Sequence, residues 1–458
     1  MLSVRLDPFY NLPEHFALVR ALEAGPFGAM PIGHPSHEVA TDIIEGRITP
    51  KRDAYSEDPT HPIFLRAQNI EEGFLRFDDA KRLLPEAFAA EPKAILEDGD
   101  LVLTIDGVLL GKAAVHRPGD LPCCVSNHMV RIRHGSQISP DFLAAYLNGT
   151  SGQMQIKRGV TGSAIPGLRA DAINRIVVPT PPPSKQRELL AALDAARAVR
   201  RQKLEEADSL LGGLDAFVLD ALGLTLPPPD GHRTTYAVRL AAVREGKKLY
   251  PDYFHPERLN AIRAVQRKYK GDRCATLLSV ADFRRDQRQV QPNDPYLGLA
   301  NVQPNTGERV ESTEEDGEGT VFEYAENDVL FARLRPYLNK VYRAESAGVC
   351  STEFHVMRVR PGPDGTPRVI PDYLAAVLRS GIVLSQTRHM MTGNTHPRLA
   401  NDDVVNLVVP VPDDATQQKI AAEVARRRDA ARRLREEAAQ LWDDAKRRFE
   451  EALLGHTR

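Results

Sequence analysis

The chain repeats itself at an offset of about 230 residues. The segment PDFLAAYL at 140–147 returns as PDYLAAVL at 371–378, which is an offset of 231. Other pairs at about the same offset are Thr161-Gly162 with Thr392-Gly393, Pro166 with Pro397, Val177-Val178-Pro179 with Val408-Val409-Pro410, Gln186 with Gln417, and Phe217 with Phe449. Because the matches keep their order over about 200 residues, chance is a poor explanation. We therefore predict a tandem duplication of two whole domain units.

The seam between the two copies is the run LPPPDG at 226–231, which blocks helix formation and favours an exposed linker. The length of 458 residues suits several domains of about 100–200 residues each. We predict a first mixed domain, a first spacer helix, a linker, a second mixed domain and a second spacer helix, at residues 1–183, 184–225, 226–235, 236–413 and 414–458.

Composition indicates a globular protein and does not by itself indicate a nucleic-acid binder. Hydrophobic residues make up 42% of the chain and charged residues 27%. The 60 basic and 62 acidic residues give a net charge of −2, so DNA binding would need basic residues gathered on one face or charge supplied by partner chains. The four cysteines form no CxxC pair, so we expect neither a disulfide framework nor a zinc site. No apolar run approaches the roughly 18 residues that span a bilayer, and no secretion signal is visible. We expect no membrane contact and a cytoplasmic location.

Within each copy the sequence pattern changes once, from mixed helix and strand to one long helix, which predicts an α+β fold. The first part mixes short helices with strand-like runs at 101–105, 130–133 and 176–178. The adjacent Cys123-Cys124 are expected to be small strand residues. The second part of each copy is one long helical segment, so we predict two mixed α/β domains, each followed by a long helix.

Each long helix has coiled-coil spacing. The first is expected to open with Ser184 as N-cap, and the second near Pro412-Asp413-Asp414, where Asp suits both the cap and the helix dipole. Gly212-Gly213 interrupts the first helix at a cost of about 1 kcal/mol per glycine relative to Ala. Apolar residues alternate steps of three and four, and those predicted to pair the helices are Leu204, Leu211, Leu214, Val218, Ile420, Val424, Leu434 and Leu441. We predict an antiparallel coiled coil with pseudo-twofold symmetry; the alternative is that each helix packs on its own mixed domain.

Motifs for catalysis are not found. The chain has no GxxxxGK[ST] loop, no GxGxxG after a strand, no HExxH and no GxSxG. The 13 histidines are scattered, and the carboxylates are mostly interleaved with Arg and Lys, which suggests solvated ion pairs. We predict no catalytic residues, no metal site and no cofactor in this chain.

Basic residues beside small polar ones occur at matching places in both copies and are candidates for DNA contact. Hydroxyls, amides and Arg suit phosphate contact, and Arg, Asn and Gln can read base edges. The alternative is that the Thr-Gly segments are plain turns with solvent-facing charges. The candidates are Arg66, Gln68, Asn69, Lys157, Arg158, Thr161 and Ser163 in the first copy, and Asn301, Gln303, Arg333, Arg335, Lys340, Arg388, Thr392, Asn394 and Thr395 in the second.

A doubled segment carries a family resemblance that covers nearly the whole chain. It reads TGSAIP at 161–166, IVVPTPP at 176–182 and KQ at 185–186, and again TGNTHP at 392–397, VVPVP at 408–412 and QQ at 417–418. A strand, a proline pair, a Gln and a long helix, given twice, resemble the specificity subunit of type I restriction–modification systems. The second copy departs in having Asp413-Asp414 where the first has Pro182-Pro183, and its body before residue 350 is clearly different.

The resemblance implies that each mixed domain is a target-recognition domain and that the paired helices hold the two apart. The chain would read a bipartite, asymmetric target on double-stranded DNA. Its partners would be two methyltransferase subunits and restriction/translocase subunits, which would carry S-adenosylmethionine, ATP and Mg. Two alternatives remain: the same architecture in another DNA-modifying or phage-defence complex, and a protein scaffold that binds no DNA.

Overall fold

The structure, a computed structural model, describes residues 12–117, 119–161, 167–228, 235–246, 250–311, 319–362, 365–390 and 397–455. Its contacts divide the chain into two compact units. Unit 1 comprises Met1–Gln202 with Glu437–Arg458, and unit 2 comprises Lys203–Glu436. Both divisions fall inside long helices, so each unit contains one part of each long helix.

The elements up to the end of the first long helix alternate short strands with helices. In chain order they are α1 (Pro13–Ala24), β1 (Ala29–Pro31), β2 (Ala40–Glu45), β3 (Tyr55–Ser56), β4 (Ile63–Leu65), β5 (Lys81–Leu83), α2 (Pro85–Ala89), β6 (Leu101–Thr104), β7 (Ala113–Val115), β8 (Cys123–Val125), β9 (Met129–His134), α3 (Pro140–Asn148), α4 (Thr150–Gly159), β10 (Val160–Thr161), β11 (Gly167–Leu168), α5 (Ala170–Asn174), β12 (Val177–Pro179) and α6 (Pro183–Gly212).

The remaining elements begin with the short helix that follows Gly213. They are α7 (Leu214–Ala221), α8 (Leu240–Gly246), α9 (Pro256–Lys268), β13 (Cys274–Thr276), α10 (Leu277–Val280), β14 (Ala281–Arg284), β15 (Gln287–Gln289), β16 (Tyr296–Leu297), β17 (Thr320–Tyr324), β18 (Val329–Ala332), β19 (Val341–Arg343), β20 (Gly348–Ser351), β21 (Phe354–Val359), α11 (Pro371–Arg379), α12 (Gly381–Thr387), α13 (Asn401–Val404), β22 (Val408–Pro410) and α14 (Asp414–Leu454).

The predicted mixture of helices and strands is confirmed, and several local predictions can be compared directly. Cys123 and Cys124 lie buried in strand β8, as predicted. The Asp413 side chain accepts a hydrogen bond from the Thr416 amide at 2.8 Å, so Asp413 is the cap expected for α14. Ser184 is not the N-cap of α6, because the helix already begins at Pro183. Proline suits this first position, since its missing N–H would have no helical partner there.

Each unit contains a four-stranded antiparallel sheet of the same strand order. The order is β2-β9-β6-β7 in unit 1 and β14-β21-β18-β19 in unit 2. Successive side chains of a strand point to opposite faces. In β6, Leu101 and Leu103 pack with the helices of unit 1, whereas Val102 packs with a second sheet. The core of each unit therefore lies on both faces of this sheet.

The second sheet differs between the units. Its order is β3-β5-β4-β8 in unit 1 and β15-β17-β20-β16 in unit 2. The parallel pairs are β4 with β8 and β16 with β20, but the inner member is β4 in unit 1 and β20 in unit 2. The two mixed bodies therefore have the same strand order in the first sheet and a different arrangement in the second.

A buried glutamine fixes the start of each long helix in the same way. Gln186 accepts a hydrogen bond from the Ser139 amide at 2.9 Å, and its Nε2 donates to the carbonyls of Gln137 and Pro181. Gln417 accepts from the Ile370 amide at 3.0 Å and donates to the carbonyls of Arg368 and Pro412, which completes the same set of bonds in unit 2. Each side chain satisfies buried backbone groups that would otherwise be costly to leave unpaired.

A second glutamine pair fixes α4 and α12. Gln155 donates to the Val177 carbonyl at 2.9 Å and accepts from the Val177 amide at 2.8 Å. Gln386 donates to the Val408 carbonyl at 2.8 Å and accepts from the Val408 amide at 2.9 Å. Both pairs lie at the sequence offset of 231. These bonds hold the helix that precedes each Thr-Gly segment against the strand that precedes each long helix.

The parts of the long helical segments that belong to unit 2 contact each other directly. Arg435 of α14 donates to Asp208 of α6 at 3.0 Å, and Arg427 donates to the Gly213 carbonyl at 3.1 Å. The two segments therefore run antiparallel in unit 2, because the later residue of α14 contacts the earlier residue of α6. Both segments contribute to the core of unit 2, through the buried residues Ala207, Leu211, Leu214, Val218, Ile420, Val424 and Ala431, while Leu204 and Leu434 are half-buried.

In unit 1 the contact between α6 and α14 is centred on the single tryptophan. The guanidinium groups of Arg197 and Arg200 lie 5.3 and 5.8 Å from the Trp442 ring centre, within the range of cation–π attraction. Trp442 is buried, whereas the predicted pairing residue Leu441 is only half-buried. The buried position therefore lies one residue beyond the one that the heptad spacing predicted.

The end of α14 also caps a helix of unit 1. The buried Glu450 carboxylate accepts hydrogen bonds from the amide and the hydroxyl of Ser151, in the first turn of α4. Burial raises the pKa of Glu450, and these hydrogen bonds oppose that shift. In unit 2 the Asp215 carboxylate of α7 accepts from the Gly381 amide at the start of α12. In each unit a carboxylate from a long helical segment thus satisfies orphan amides at the start of another helix.

Among the helices of the described residues, none has the length and apolar character needed to cross a lipid bilayer.

Candidate nucleic-acid interface

A short hairpin in unit 1 connects β6 and β7 of the β2-β9-β6-β7 sheet. It joins β6 to β7 through residues 105–112. The Thr104 amide donates to the Lys112 carbonyl at 3.0 Å, and the Ile105 amide donates to the His128 carbonyl at 3.0 Å. The Leu168 amide donates to the Ile105 carbonyl at 2.7 Å, which attaches β11 to the hairpin.

The hairpin between β18 and β19 in unit 2 has the same backbone bonds. The Ala332 amide donates to the Lys340 carbonyl at 3.0 Å, and the Arg333 amide donates to the Glu353 carbonyl at 2.9 Å. The Leu399 amide donates to the Arg333 carbonyl at 3.0 Å. The two hairpins are thus equivalent scaffolds, although few of their side chains agree.

In unit 2 the equivalent scaffold carries mainly positive charge. The Glu353 carboxylate accepts three hydrogen bonds from Arg398 at 2.7, 3.0 and 3.1 Å, and it lies 3.8 Å from Arg333. Arg335 is exposed, and its amide donates to the Pro397 carbonyl at 2.8 Å. Lys340 donates to the Leu299 carbonyl at 2.6 Å. One carboxylate therefore stands among four cations, and the surplus favours contact with an anion such as phosphate.

A buried histidine lies beneath these charges. His355 of β21 pairs with Phe331 of β18, and its side chain is 6% exposed. Burial lowers the pKa of His355 to about 4, and the nearby Arg333 and Arg285 add to the shift. His355 is therefore neutral near pH 7.

In unit 1 the same scaffold carries different chemistry. His128 stands where unit 2 has Glu353, and its Nδ1 lies 2.7 Å from an Asp106 oxygen. Asp106 also forms a backbone bridge to Gly167, at the position where unit 2 pairs Leu334 with Arg398. Val108, at the tip of the hairpin, is fully exposed. This hairpin thus presents an acid–imidazole pair and an apolar tip.

The three candidates nearest β4 all donate hydrogen bonds to Asp79. Gln68 donates to Asp79 at 2.6 Å, Asn69 donates to its other oxygen at 2.9 Å, and Arg66 donates to the Asp79 carbonyl at 3.0 Å. Asn69 is fully buried, and its oxygen accepts the Arg66 amide. This position favours a structural role for Asn69 in the turn, whereas Gln68 is exposed.

Asn301 and Gln303 take part in the corresponding turn of unit 2. The Asn301 oxygen accepts the Gly298 amide at 2.8 Å, which is the bond that Asn69 makes in unit 1. Gln303 accepts from the Thr306 hydroxyl at 3.2 Å. Both side chains are half-buried, so part of each still reaches solvent. Their geometry explains why Asn recurs at this place without any reference to DNA.

The candidates around α4 are exposed or half-buried. Lys157 is exposed, and the Arg158 guanidinium lies 4.7 Å from the Phe16 ring centre. The exposed Thr161 hydroxyl lies 3.5 Å from the Gly167 carbonyl, so it adjoins the unit 1 hairpin. Ser163 lies outside the described residues. The structure therefore brings Thr161 next to Asp106 through Gly167.

Arg388 forms an ion pair with the buried carboxylate of Glu257. Its guanidinium donates to Glu257 at 2.6 Å, and His389 Nε2 lies 2.8 Å from the other carboxylate oxygen. The His389 ring stacks on His255 at 3.4 Å. Within the described residues, His255, Glu257 and His389 form the group whose ligand atoms could hold a metal ion, although Arg388 already neutralises the carboxylate. The candidates Thr392, Asn394 and Thr395 lie outside the described residues.

Four residues at the two hairpins were not predicted from the sequence: Val108 in unit 1, and Tyr337, Glu353 and Arg398 in unit 2. The hairpin segments 104–113 and 332–341 correspond at an offset of 228. Only two aligned pairs are identical, Leu110 with Leu338 and Lys112 with Lys340, so the sequence gives little indication of this correspondence. Equivalence of the hairpins is visible only from their shared hydrogen bonds.

Comparison with known proteins found likeness in structure. No family model matches the chain, and no curated protein sequence does. A chain from a structure that addresses complex assembly and conformational transition of the type I restriction–modification system covers 94% of this chain and 98% of its own length, at 16% identity and a TM-score of 0.50. The HsdS subunit of Thermoanaerobacter tengcongensis covers 95% and 100% at 16% identity and a TM-score of 0.37. The type I S subunit of M. genitalium covers 93% and 95% at 12% identity and a TM-score of 0.41.

Identities this low bear on the fold and leave the activity open. Along nearly its whole length, the chain has a fold similar to that of the chain from the type I restriction–modification system structure.

Proposed function

We propose that this chain is the sequence-specific DNA-binding specificity subunit of a type I restriction–modification complex and that it catalyses no reaction itself. The observation that carries the proposal is the pair of equivalent hairpins, one in each unit, with different side chains on the same backbone scaffold. A duplicated reader needs a constant scaffold to hold its reading groups and variable groups to read different bases. The shared fold agrees with this function.

The target would be bipartite and asymmetric. Each unit would read one short half-site, and the half-sites would differ because Asp106 and His128 stand in unit 1 where unit 2 has Leu334 and Glu353. The two long helices would pair as an antiparallel coiled coil in a pseudo-twofold tandem repeat, so that helix length sets the unread spacer. Two linked readers bind far more tightly than either alone, because the second contact is made at high effective concentration.

The partners would be double-stranded DNA, two methyltransferase subunits and restriction/translocase subunits. S-adenosylmethionine, ATP and Mg would be bound by those partners. Sharing phosphate contacts among several chains agrees with the net charge of −2 here. Such a complex acts on the DNA of the cell, so the proposal includes a cytoplasmic location.

The test is a fluorescence-anisotropy titration of the chain together with its methyltransferase partner. The DNA is a duplex that carries the target identified by methylome sequencing, and a scrambled duplex of the same composition is the control. We expect tight binding of the target only, weakening steeply as salt rises because bound counterions are released. Equal binding of both duplexes, or none, would contradict the proposal and favour a protein scaffold.

A further inference from the structure

We propose that the tip of the unit 1 hairpin, residues 106–111, is a base-reading element, and that Val108 contacts the C5-methyl group of a thymine in the major groove. This inference rests on the proposed function and adds to it the reading residue and the base of unit 1. The residues predicted from the sequence to contact DNA include Arg333, Arg335 and Lys340 in the hairpin of unit 2 and none in the hairpin of unit 1.

The tip is held in a fixed shape. The Thr104 hydroxyl donates to the Leu109 carbonyl at 2.5 Å and accepts the Lys112 amide at 2.9 Å. From outside the hairpin, the Gln153 amide group donates to the Gly111 carbonyl at 2.7 Å. Side chains thus fix both strands of the turn, so Val108 is presented in one place and needs little ordering when it binds.

The turn has the same two left-handed positions in both units. They are Gly107 (φ 72°) and Gly111 (φ 92°) in unit 1, and Arg335 (φ 48°) and Asn339 (φ 51°) at the matching places in unit 2. A residue other than glycine in this region costs on the order of 1 kcal/mol or more, and such strain is found at functional sites. Unit 2 keeps the shape of the turn without glycine, which indicates that the shape itself matters.

The side chains between these positions differ between the units, as expected if each unit reads a different half-site. Tyr337 is 47% exposed in unit 2, whereas Val108 is fully exposed in unit 1. A valine tip offers only methyl groups. Among the groups on base edges in the major groove, the thymine C5-methyl is the apolar one. Val108 is therefore matched to a thymine, while Asp106 and His128 beside it are left for polar groups of the neighbouring bases.

The experiment removes the thymine C5-methyl group and the methyl groups of Val108 separately. The full chain with its methyltransferase partner is titrated against the target duplex and against a series in which each thymine in turn is replaced by uracil, which lacks only the methyl group. The proteins are the natural chain, Val108→Ser, and Ile48→Ser as matched control, since Ile48 is also an exposed apolar residue of unit 1 (78% exposed) outside the hairpin.

We expect one position in the first half-site where uracil weakens binding of the natural chain by about fourfold, the effect of burying one methyl group. Val108→Ser should bind the thymine duplex about as weakly as the natural chain binds the uracil one, and it should no longer distinguish the two. Ile48→Ser should keep the natural pattern, and the second half-site should respond identically in all three proteins.

Three results would overturn the inference while leaving the proposed function intact. They are a first half-site with no uracil-sensitive position, full sensitivity retained in Val108→Ser, and loss of methyltransferase binding by Val108→Ser with base preference unchanged, which would make the tip a protein contact. If the natural chain shows no preference for any duplex, the proposed function itself fails and the inference fails with it.

Discussion

At the residue scale, His355 makes the stability of unit 2 depend on pH. Its pKa in the folded chain is about 4, below the ordinary value of 6.5, because its ring is buried beside Arg333 and Arg285. Below pH 6.5 the unfolded chain takes up a proton that the folded chain does not. Stability is therefore full above about pH 6.5 and falls as the pH drops toward 4, by about 3 kcal/mol in total.

The substitution His355→Gln removes this titrating group. We expect the difference in the free energy of unfolding between pH 7 and pH 4.5 to shrink by about 2–3 kcal/mol relative to the natural chain, whatever the effect on stability at pH 7. Urea denaturation at the two pH values measures this difference. The same acid dependence in both proteins would show that burial of His355 does not carry it.

At the scale of elements, Gln417 fixes the start of α14. It is 1% exposed and bonds to one backbone amide and two backbone carbonyls. The change Gln417→Ala leaves these three groups without their partner, so we expect a loss of about 3 kcal/mol in the free energy of unfolding, measured by chemical denaturation.

The neighbouring residue supplies the matched control. Gln418 is exposed, and Gln418→Ala should change the free energy of unfolding by less than about 0.5 kcal/mol. If the two alanine variants are equally stable, the three hydrogen bonds of Gln417 contribute nothing net, and the start of α14 must be fixed by apolar packing alone.

At the scale of the whole molecule, the two units should be exchangeable. Replacing residues 1–180 by the equivalent body of a related chain should change one half-site of the DNA target and leave the other as it was, because each unit has its own core and its own hairpin. Methylome sequencing of cells that express the chimera with its partner reads both half-sites. A change in both half-sites would contradict modular reading.

Much of the fold is visible in the sequence because it depends on local patterns. The helices at 140–148 and 371–379 follow from matched apolar runs, and the cap of α14 follows from Asp413. Gln186 and Gln417 are recognisable in the sequence as a matched pair at an offset of 231, although the sequence does not show their hydrogen bonds. The first residue of α6 was misjudged by one position, since a proline or a serine can open a helix equally well by local rules.

The surface that we propose for DNA depended on contacts between distant parts of the chain. Arg66, Gln68 and Asn69 were recognised as a polar group, but only folding turns them toward Asp79. Likewise, Arg388 reads as an available cation until α9 brings the buried Glu257 to it across 131 residues. No local pattern records such pairings, because they depend on how loops return the chain to itself.

The sequence by itself determined the mixture of helices and short strands, and it predicts a tandem repeat of two halves, since periodicity and repeated motifs can be read without knowledge of contacts. Only the tertiary structure decided that the hairpins at 104–113 and 332–341 are equivalent and that Val108 projects from one of them. Backbone hydrogen bonds define a scaffold whatever side chains it carries, so the two hairpins can differ in sequence and still keep the same geometry.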